Sequence, residues 1–145
     1  MPLPEAIELQ IVTPQRHVLA ENVQAIEIPG KEGYLGVLPG HAPLITELGI
    51  GILAYRKGGE TRYLSVIQGY AEVLPDRVIV LAEISERAEE IDLERARAAH
   101  ERAQAELAKT SAGSPDWQER KLAVERALVR TQVVGKQGGS VGSHK

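Results

Sequence analysis

The sequence predicts an α+β protein in which an antiparallel β domain precedes an antiparallel hairpin of two helices. Residues 7–83 contain short runs rich in Val, Ile and Tyr, several of which alternate apolar and polar residues as half-buried strands do. Residues 86–109 consist almost wholly of Ala, Glu, Arg and Leu, which are strong helix formers. The segment TSAGSPD then interrupts the helical pattern before a second helical stretch begins.

The β domain is predicted from six runs separated by turn signals, the clearest of which is Gly58-Gly59 between two strand patterns. Many short strands with frequent turns and no intervening helix are typical of an antiparallel sandwich or barrel. The predicted strands are IELQIV, VQAIEI, ILAYR, RYLSVI, YAEVL and RVIVLAE.

The first helix carries small residues along one face, at spacings of three and four: Ala96, Ala99, Ala103 and Leu107. Its other faces are charged, and we expect an ion pair between Arg102 and Glu106, one turn apart. An alanine seam buries less apolar area than a leucine seam. We therefore expect a hairpin that is helical but binds only weakly to any one docking surface.

The second helix is predicted from about Pro115 to Val134, with Ser114 as its N-cap. The stretch GKQGGSVGSHK beyond it is Gly-rich and polar, which predicts a disordered tail. The predicted domains are a β-sandwich over residues 1–84, a helical hairpin over residues 85–134 and the tail over residues 135–145.

The composition excludes several classes of function. The net charge of −3 and the 3% aromatic content disfavour nucleic-acid binding, which requires a basic surface interleaved with aromatic residues. The absence of cysteine excludes disulfides, thiolate metal ligands and a cysteine nucleophile. No run approaches the ~18 apolar residues of a membrane span. We expect a soluble protein that is able to dock on an embedded partner.

The segment GYLGVLPGHAPLI sets His41 among glycines and prolines, in the kind of stiff loop on which enzymes mount catalytic groups. The four histidines of the chain are scattered, without metal-ligand spacing. Hydrolase, phosphate-loop and dinucleotide-binding motifs are also missing. We interpret His41 as a structural corner and expect no catalytic residue and no metal site.

Arginines of the two predicted helices form a second candidate site. Arg95 and Arg102 flank the alanine seam, and Arg126 and Arg130 lie one turn apart on the second helix. In an antiparallel hairpin the four guanidinium groups would converge, and such groups suit phosphate oxygens. Spacing alone favours the alternative that they are solvated surface charges.

Three segments in order resemble the epsilon-subunit family of bacterial F-type ATP synthases: EGYLGVLPGHAPLI, GYAEVLPDRVIVLAE and IDLERARAAHERA. The resemblance covers about Ile7 to Arg130. It implies a sandwich of about ten strands in a non-catalytic subunit of the rotating central stalk. This subunit couples the catalytic head to the membrane rotor ring during proton-driven ATP synthesis, as a peripheral protein on the cytoplasmic side of the bacterial inner membrane.

The resemblance also implies partners and a regulatory ligand. Tyr34 and His41 correspond to positions that contact the gamma subunit and the rotor c-ring. The hexapeptide IDLERA resembles the ATP-binding motif of some bacterial members, whose hairpin lies compact with ATP bound and otherwise extends to the alpha/beta catalytic head and inhibits hydrolysis. ATP would then be a regulatory ligand and not a cofactor. The implied ATP-binding residues are Glu86, Ile91, Asp92, Arg95, Ala96, Arg102, Arg126 and Arg130.

Two kinds of alternative remain open at the level of sequence. The first is a stalk subunit without physiological ATP binding. The second is a protein unrelated to the stalk, either a helical-hairpin adaptor or a freestanding sandwich that binds or converts a small ligand. An adaptor of the coiled-coil type favours Leu or Ile at sustained heptad positions, and a ligand-binding sandwich favours convergent titratable groups.

Overall fold

A computed structural model describes residues 4–142 of the chain. Seven strands come first: β1 (Ile7–Val12), β2 (His17–Val23), β3 (Ala25–Gly30), β4 (Gly33–Val37), β5 (Leu44–Lys57), β6 (Glu60–Val73) and β7 (Arg77–Arg87). A short 3₁₀ helix over Ala88–Glu90, called the linker below, connects them to two helices, α1 (Leu93–Ala108) and α2 (Trp117–Gly142).

The strands form one sheet in the order β2-β1-β7-β6-β5-β3-β4. Its end strands fold over the middle, since β2 contacts β5 although the two are not neighbours in the sheet. The two layers enclose one apolar core, in which Leu9, Leu53 and Val80 are fully buried. The predicted order of β domain and helical hairpin is confirmed, but β1 and β7 pair in parallel.

The described residues contain seven strands, whereas the resemblance implied about ten. Some runs that were predicted as separate strands are parts of one longer strand. RYLSVI and YAEVL both belong to β6, which continues through a bend at Gln68 and Gly69, where φ is 55° and 121°. The segment GYLGV, predicted as part of a corner, is strand β4. Strand β2 was not predicted.

The turn predicted at Gly58-Gly59 is confirmed. Both glycines have positive φ, at 60° and 91°, and the flanking residues Lys57 and Glu60 pair across the β5–β6 hairpin. Positive φ at both central positions is what a two-residue hairpin with the natural twist requires, and glycine adopts it without steric cost.

Strand β7 runs on to Arg87, beyond the predicted domain end at residue 84, and α1 begins only at Leu93. The prediction of helix from residue 86 is therefore wrong at its start. The reason lies in two contacts with β6: the Ser85 hydroxyl donates to the Ser65 carbonyl at 2.7 Å, and the Glu86 N–H donates to the Ser65 hydroxyl at 3.0 Å. Pairing with a neighbouring strand overrides local helix propensity here.

Helix α2 also departs from its predicted bounds. Ser114 and Pro115 lie in a turn, and the helix begins at Trp117. At its other end the helix continues to Gly142, so the predicted disordered tail is wrong for residues 135–142. Residues 143–145 of that predicted tail lie outside the described residues.

The hairpin lies folded against the sandwich. Helix α1 packs along α2, and α2 packs on β5, β6 and the linker. Val133 of α2 is fully buried in a small apolar cluster with Ala88, Ile91 and Ala96. The cluster has far fewer members than the sandwich core, so it buries less apolar area.

Gly69 provides a test of the bend in β6. A Cβ at this position would lie 2.0 Å from the carbonyl oxygen of Leu81, and φ is 121°. We expect Gly69→Ala to lower the free energy of unfolding by at least about 3 kcal/mol, since strain at such a φ adds to the clash. Urea denaturation measures this. Gly36→Ala is the matched control, because a Cβ at Gly36 meets nothing within 4 Å. Equal effects of the two substitutions would contradict the assignment.

Candidate functional site

Two regions of the molecule carry the candidate site residues. The first is the junction where β7, the linker and both helices meet. The second is the end of the sandwich around residues 38–45, together with the outer face of the sheet beside it.

At the junction, Glu90 of the linker ties three segments together. Its carboxylate accepts two bonds from the guanidinium of Arg16, at 2.5 and 3.0 Å, and one from the N–H of Arg87 at 2.9 Å. The hydrogen bond from Arg16 lowers the pKa of Glu90, and burial opposes this more weakly. The linker is therefore fixed to the β1–β2 turn by an ion pair.

A second ion pair fixes α2 to the end of β7. Arg130 Nε donates to Glu86 Oε1 at 2.8 Å, and Nη2 donates to Glu86 Oε2 at 3.3 Å. The geometry is the forked one in which a guanidinium best matches a carboxylate. Two of the eight predicted ATP-binding residues are thus in direct contact, 44 positions apart in sequence.

Three residues of the IDLERA motif have structural roles at the start of α1. Ile91 and Ala96, 8% and 0% exposed, belong to the apolar cluster against α2. Asp92 is the N-cap, and its Oδ1 accepts the N–H of Arg95 at 3.2 Å. Sequence reasoning missed this cap, although an Asp directly before a helical run is a recognised start signal.

The remaining predicted arginines point to different surroundings. Arg95 and Arg102 are exposed on α1, while Arg126 donates to Glu119 on its own helix at 2.8 Å. Arg102 lines a groove of about 500 Å³ between the helices, which the other seven predicted residues do not line. The ion pair expected between Arg102 and Glu106 is replaced, because Glu106 accepts from Arg120 of α2 at 3.0 Å.

At the sandwich end, Tyr34 lies on edge strand β4 with 58% of its surface exposed. Its hydroxyl accepts the N–H of Ile52 at 3.0 Å, so the side chain reaches β5 across β3. His41 closes a turn by donating its N–H to the carbonyl of Leu38 at 3.1 Å, and its Nδ1 lies 2.6 Å from the carbonyl of Ala42. These contacts agree with the interpretation of His41 as a corner.

An apolar patch lies beside this corner, on the outer face of β5, β6 and β7, and was not predicted. It consists of Ile45, Tyr70 and Leu81, which are 71%, 56% and 54% exposed. Tyr70 and Leu81 are direct cross-strand partners, and Ile45 lies on the same face of the neighbouring strand. The outward positions of the predicted strands would have revealed these residues, had they been tested for apolar character. Grouped apolar side chains of this kind mark interaction surfaces.

Two further kinds of site are absent from residues 4–142. Within them no three His, Asp or Glu side chains come together as metal ligands. No helix in the same range combines the length and apolar character needed to span a bilayer.

These features define an assembly subunit: a sandwich with an exposed apolar face and a small helical hairpin folded against its side. Residues 6–88 match the family model described as ATP synthase, Delta/Epsilon chain, beta-sandwich domain. Residues 89–135 match the model described as ATP synthase, Delta/Epsilon chain, long alpha-helix domain. The chain therefore belongs to the ATP synthase delta/epsilon chain family.

Curated relatives agree over nearly the whole chain. The ATP synthase epsilon chain of Solibacter usitatus is 47% identical over 135 residues, which cover 93% of this chain and 100% of the relative. That of Geobacter sulfurreducens is 48% identical over 132 residues, covering 91% and 96%.

Solved structures agree in fold. A chain of the Euglena gracilis mitochondrial ATP synthase, in its OSCP/F1/c-ring structure, is similar with a TM-score of 0.76, 28% identity and coverage of 88% of this chain and 81% of that one. A chain of the Tetrahymena thermophila mitochondrial ATP synthase central stalk/c-ring shares the fold, with a TM-score of 0.51, 15% identity and coverage of 90% and 94%.

The ion pair at Glu90 predicts a pH-dependent stability. Because the folded-state pKa of Glu90 is lowered below 4.5, its contribution is present above that pH and is lost as the pH falls through the folded-state pKa. We expect Glu90→Gln to lower the free energy of unfolding by less than about 1 kcal/mol at pH 7, since both partners are partly solvated. Urea titrations at several pH values measure the difference from wild type, which should vanish in acid. A difference that grows as the pH falls would contradict the assignment.

Proposed function

We propose that the chain acts as the epsilon subunit in the central stalk of an F-type ATP synthase, without catalysing a reaction itself. The observation that carries this proposal is the match of both domains, in order, to the delta/epsilon chain models over residues 6–135. The relatives of about 47% identity, matched over their whole length or nearly so, support the same role. In this role the subunit belongs to a membrane-bound complex and lies peripherally, on the cytoplasmic side of the inner membrane in a bacterium.

The outer face of the sandwich is the surface we assign to the gamma subunit. Tyr70 and Leu81 place about half of their surface in solvent on the outer face of the sheet, where a partner gains by covering them. The adjoining corner, with Tyr34 and His41, faces the c-ring in this proposal. Its backbone is already fixed by the Leu38–His41 turn and by the bond from Gly40 N–H to the Pro75 carbonyl at 2.8 Å, so docking orders little additional chain.

The hairpin is the regulatory part in this proposal. In the compact state ATP lies at the junction beside the Glu86–Arg130 pair, and Arg95 and Arg126 turn from their separate surroundings toward its phosphates. In the extended state the helices leave the sandwich and reach the alpha/beta head, where they inhibit hydrolysis. ATP shifts this equilibrium only by the difference between its affinities for the two states.

One observation favours the alternative of a stalk subunit without physiological ATP binding. Charged side chains of the compact hairpin are paired within the protein: Arg130 pairs with Glu86 and Arg126 with Glu119, while Ile91 is buried. Nucleotide must then either bind beside these ion pairs without displacing them or replace one of them. The two candidates are separated by direct measurement of ATP binding.

The gamma-binding face is tested by Leu81→Glu. We expect the affinity for purified gamma subunit to fall at least about tenfold, because docking would bury an unpaired carboxylate. Biolayer interferometry with the full chain measures this. Leu128→Glu is the control, as Leu128 is also exposed but lies on α2. Unchanged affinity in Leu81→Glu, or an equal loss in both variants, would exclude this face.

The ATP site is tested by calorimetric titration of the isolated chain. We expect Arg126→Ala and Arg130→Ala each to weaken ATP binding by about tenfold or more, since each removes a charge-assisted hydrogen bond. Arg97→Ala is the control, because Arg97 is exposed on α1 and pairs with Glu94 at 3.3 Å. Binding that is undetectable in wild type, or equal in all variants, would remove the nucleotide-sensing role and leave the stalk role intact.

A further inference from the structure

The end of α2 contacts β6 where that strand has no paired strand on one of its two sides. The β6–β7 ladder ends at the pair Leu64–Arg87, because β7 gives way to the linker after Arg87. Strand β6 nevertheless extends back to Glu60, paired there with β5 alone. Residues 60–63 of β6 therefore present backbone groups toward the position that a longer β7 would occupy.

Gln137 of α2 fills this position with its side-chain amide. Its Oε1 accepts the N–H of Tyr63 at 3.2 Å, and its Nε2 donates to the carbonyl of Thr61 at 3.4 Å. The N–H of one residue and the carbonyl two positions earlier are the groups that a neighbouring strand would bond. A primary amide carries a donor and an acceptor on one plane, as a peptide group does, so one side chain reproduces both bonds.

The same face of α2 makes the other contacts with the sandwich. Arg130, Val133, Val134 and Gln137 follow the spacing i, i+3, i+4, i+7 of a single helix face. Arg130 bonds Glu86, Val133 is fully buried, and Gln137 contacts β6 two turns beyond Arg130. Gln137 lies just past residue 135, where the match to the long alpha-helix domain of the family ends.

We propose that Gln137 is a latch, which completes the edge of β6 and thereby biases the hairpin toward its compact state. When the hairpin leaves, the Tyr63 N–H and the Thr61 carbonyl exchange their bonds to Gln137 for bonds to water. The net effect of such an exchange is modest, which suits a latch that must open. The regulatory consequence rests on the proposed stalk function, whereas the latch itself is a property of the isolated chain.

Gln137→Met tests the latch, since methionine has similar length and helix propensity but cannot form either bond. The amide of Tyr63 is the reporter, and its hydrogen exchange is measured by NMR on the full chain without nucleotide. We expect exchange of this amide to be about tenfold faster in Gln137→Met, from the loss of two hydrogen bonds. Gln132→Met is the control, because Gln132 is exposed on the same helix. Unchanged exchange at Tyr63 in Gln137→Met, or equal acceleration in both variants, would overturn the latch.

The bias toward the compact state is measured separately. The chain has no cysteine, so Glu72→Cys and Ser111→Cys place two spin labels uniquely, on the sandwich and at the tip of the hairpin. We expect Gln137→Met to increase the population of long inter-label distances by about tenfold, matching the exchange result. An unchanged distance distribution would overturn the bias. Both readouts are independent of gamma binding, so failure of the stalk proposal and failure of the latch are distinguishable.

Discussion

The docking of one narrow face of α2 on strands β5 and β6 is the interaction on which the compact shape of the molecule depends. Helix α1 reaches the sandwich mainly through α2, so its position follows from that contact. The interface combines a small cluster of buried apolar side chains with two polar contacts, Arg130–Glu86 and Gln137 with the edge of β6. The polar groups specify one geometry, and the undocking proposed above breaks both of these polar contacts.

The linker fixes the point where the hairpin joins the sandwich. Glu90 holds the linker on Arg16 of the sandwich, and Asp92 caps the first turn of α1 immediately afterwards. The joint between the two parts is therefore confined to the short stretch around Ile91, with defined structure on both sides. The sandwich has its own apolar core, in which Leu9 and Val80 are fully buried.

Some elements that depend on residues close together in the chain were predicted correctly from the sequence. The strand Ile7–Val12 and the turn at Gly58-Gly59 follow from alternation and from backbone freedom, and both were predicted correctly. The extension of β7 depends on Ser65, 20 residues from Ser85, and the continuation of α2 past its predicted end brings Gln137 against a distant strand. Neither contact can be recognised from the residues that surround it in the sequence. The four candidate arginines were identified from their spacing and the other ATP residues through resemblance, and the structure joins just some of them.

Native-state hydrogen exchange over the whole chain, in low concentrations of denaturant, tests the central claim most directly. The account predicts that the slowest amides of α2 exchange through a partial opening, with a free energy clearly below that of core amides such as Leu53 and Val80. The sandwich amides should exchange only through global unfolding. If the α2 amides and the sandwich amides instead shared one opening free energy and one dependence on denaturant, the hairpin and the sandwich would be a single cooperative unit, and the account would be contradicted.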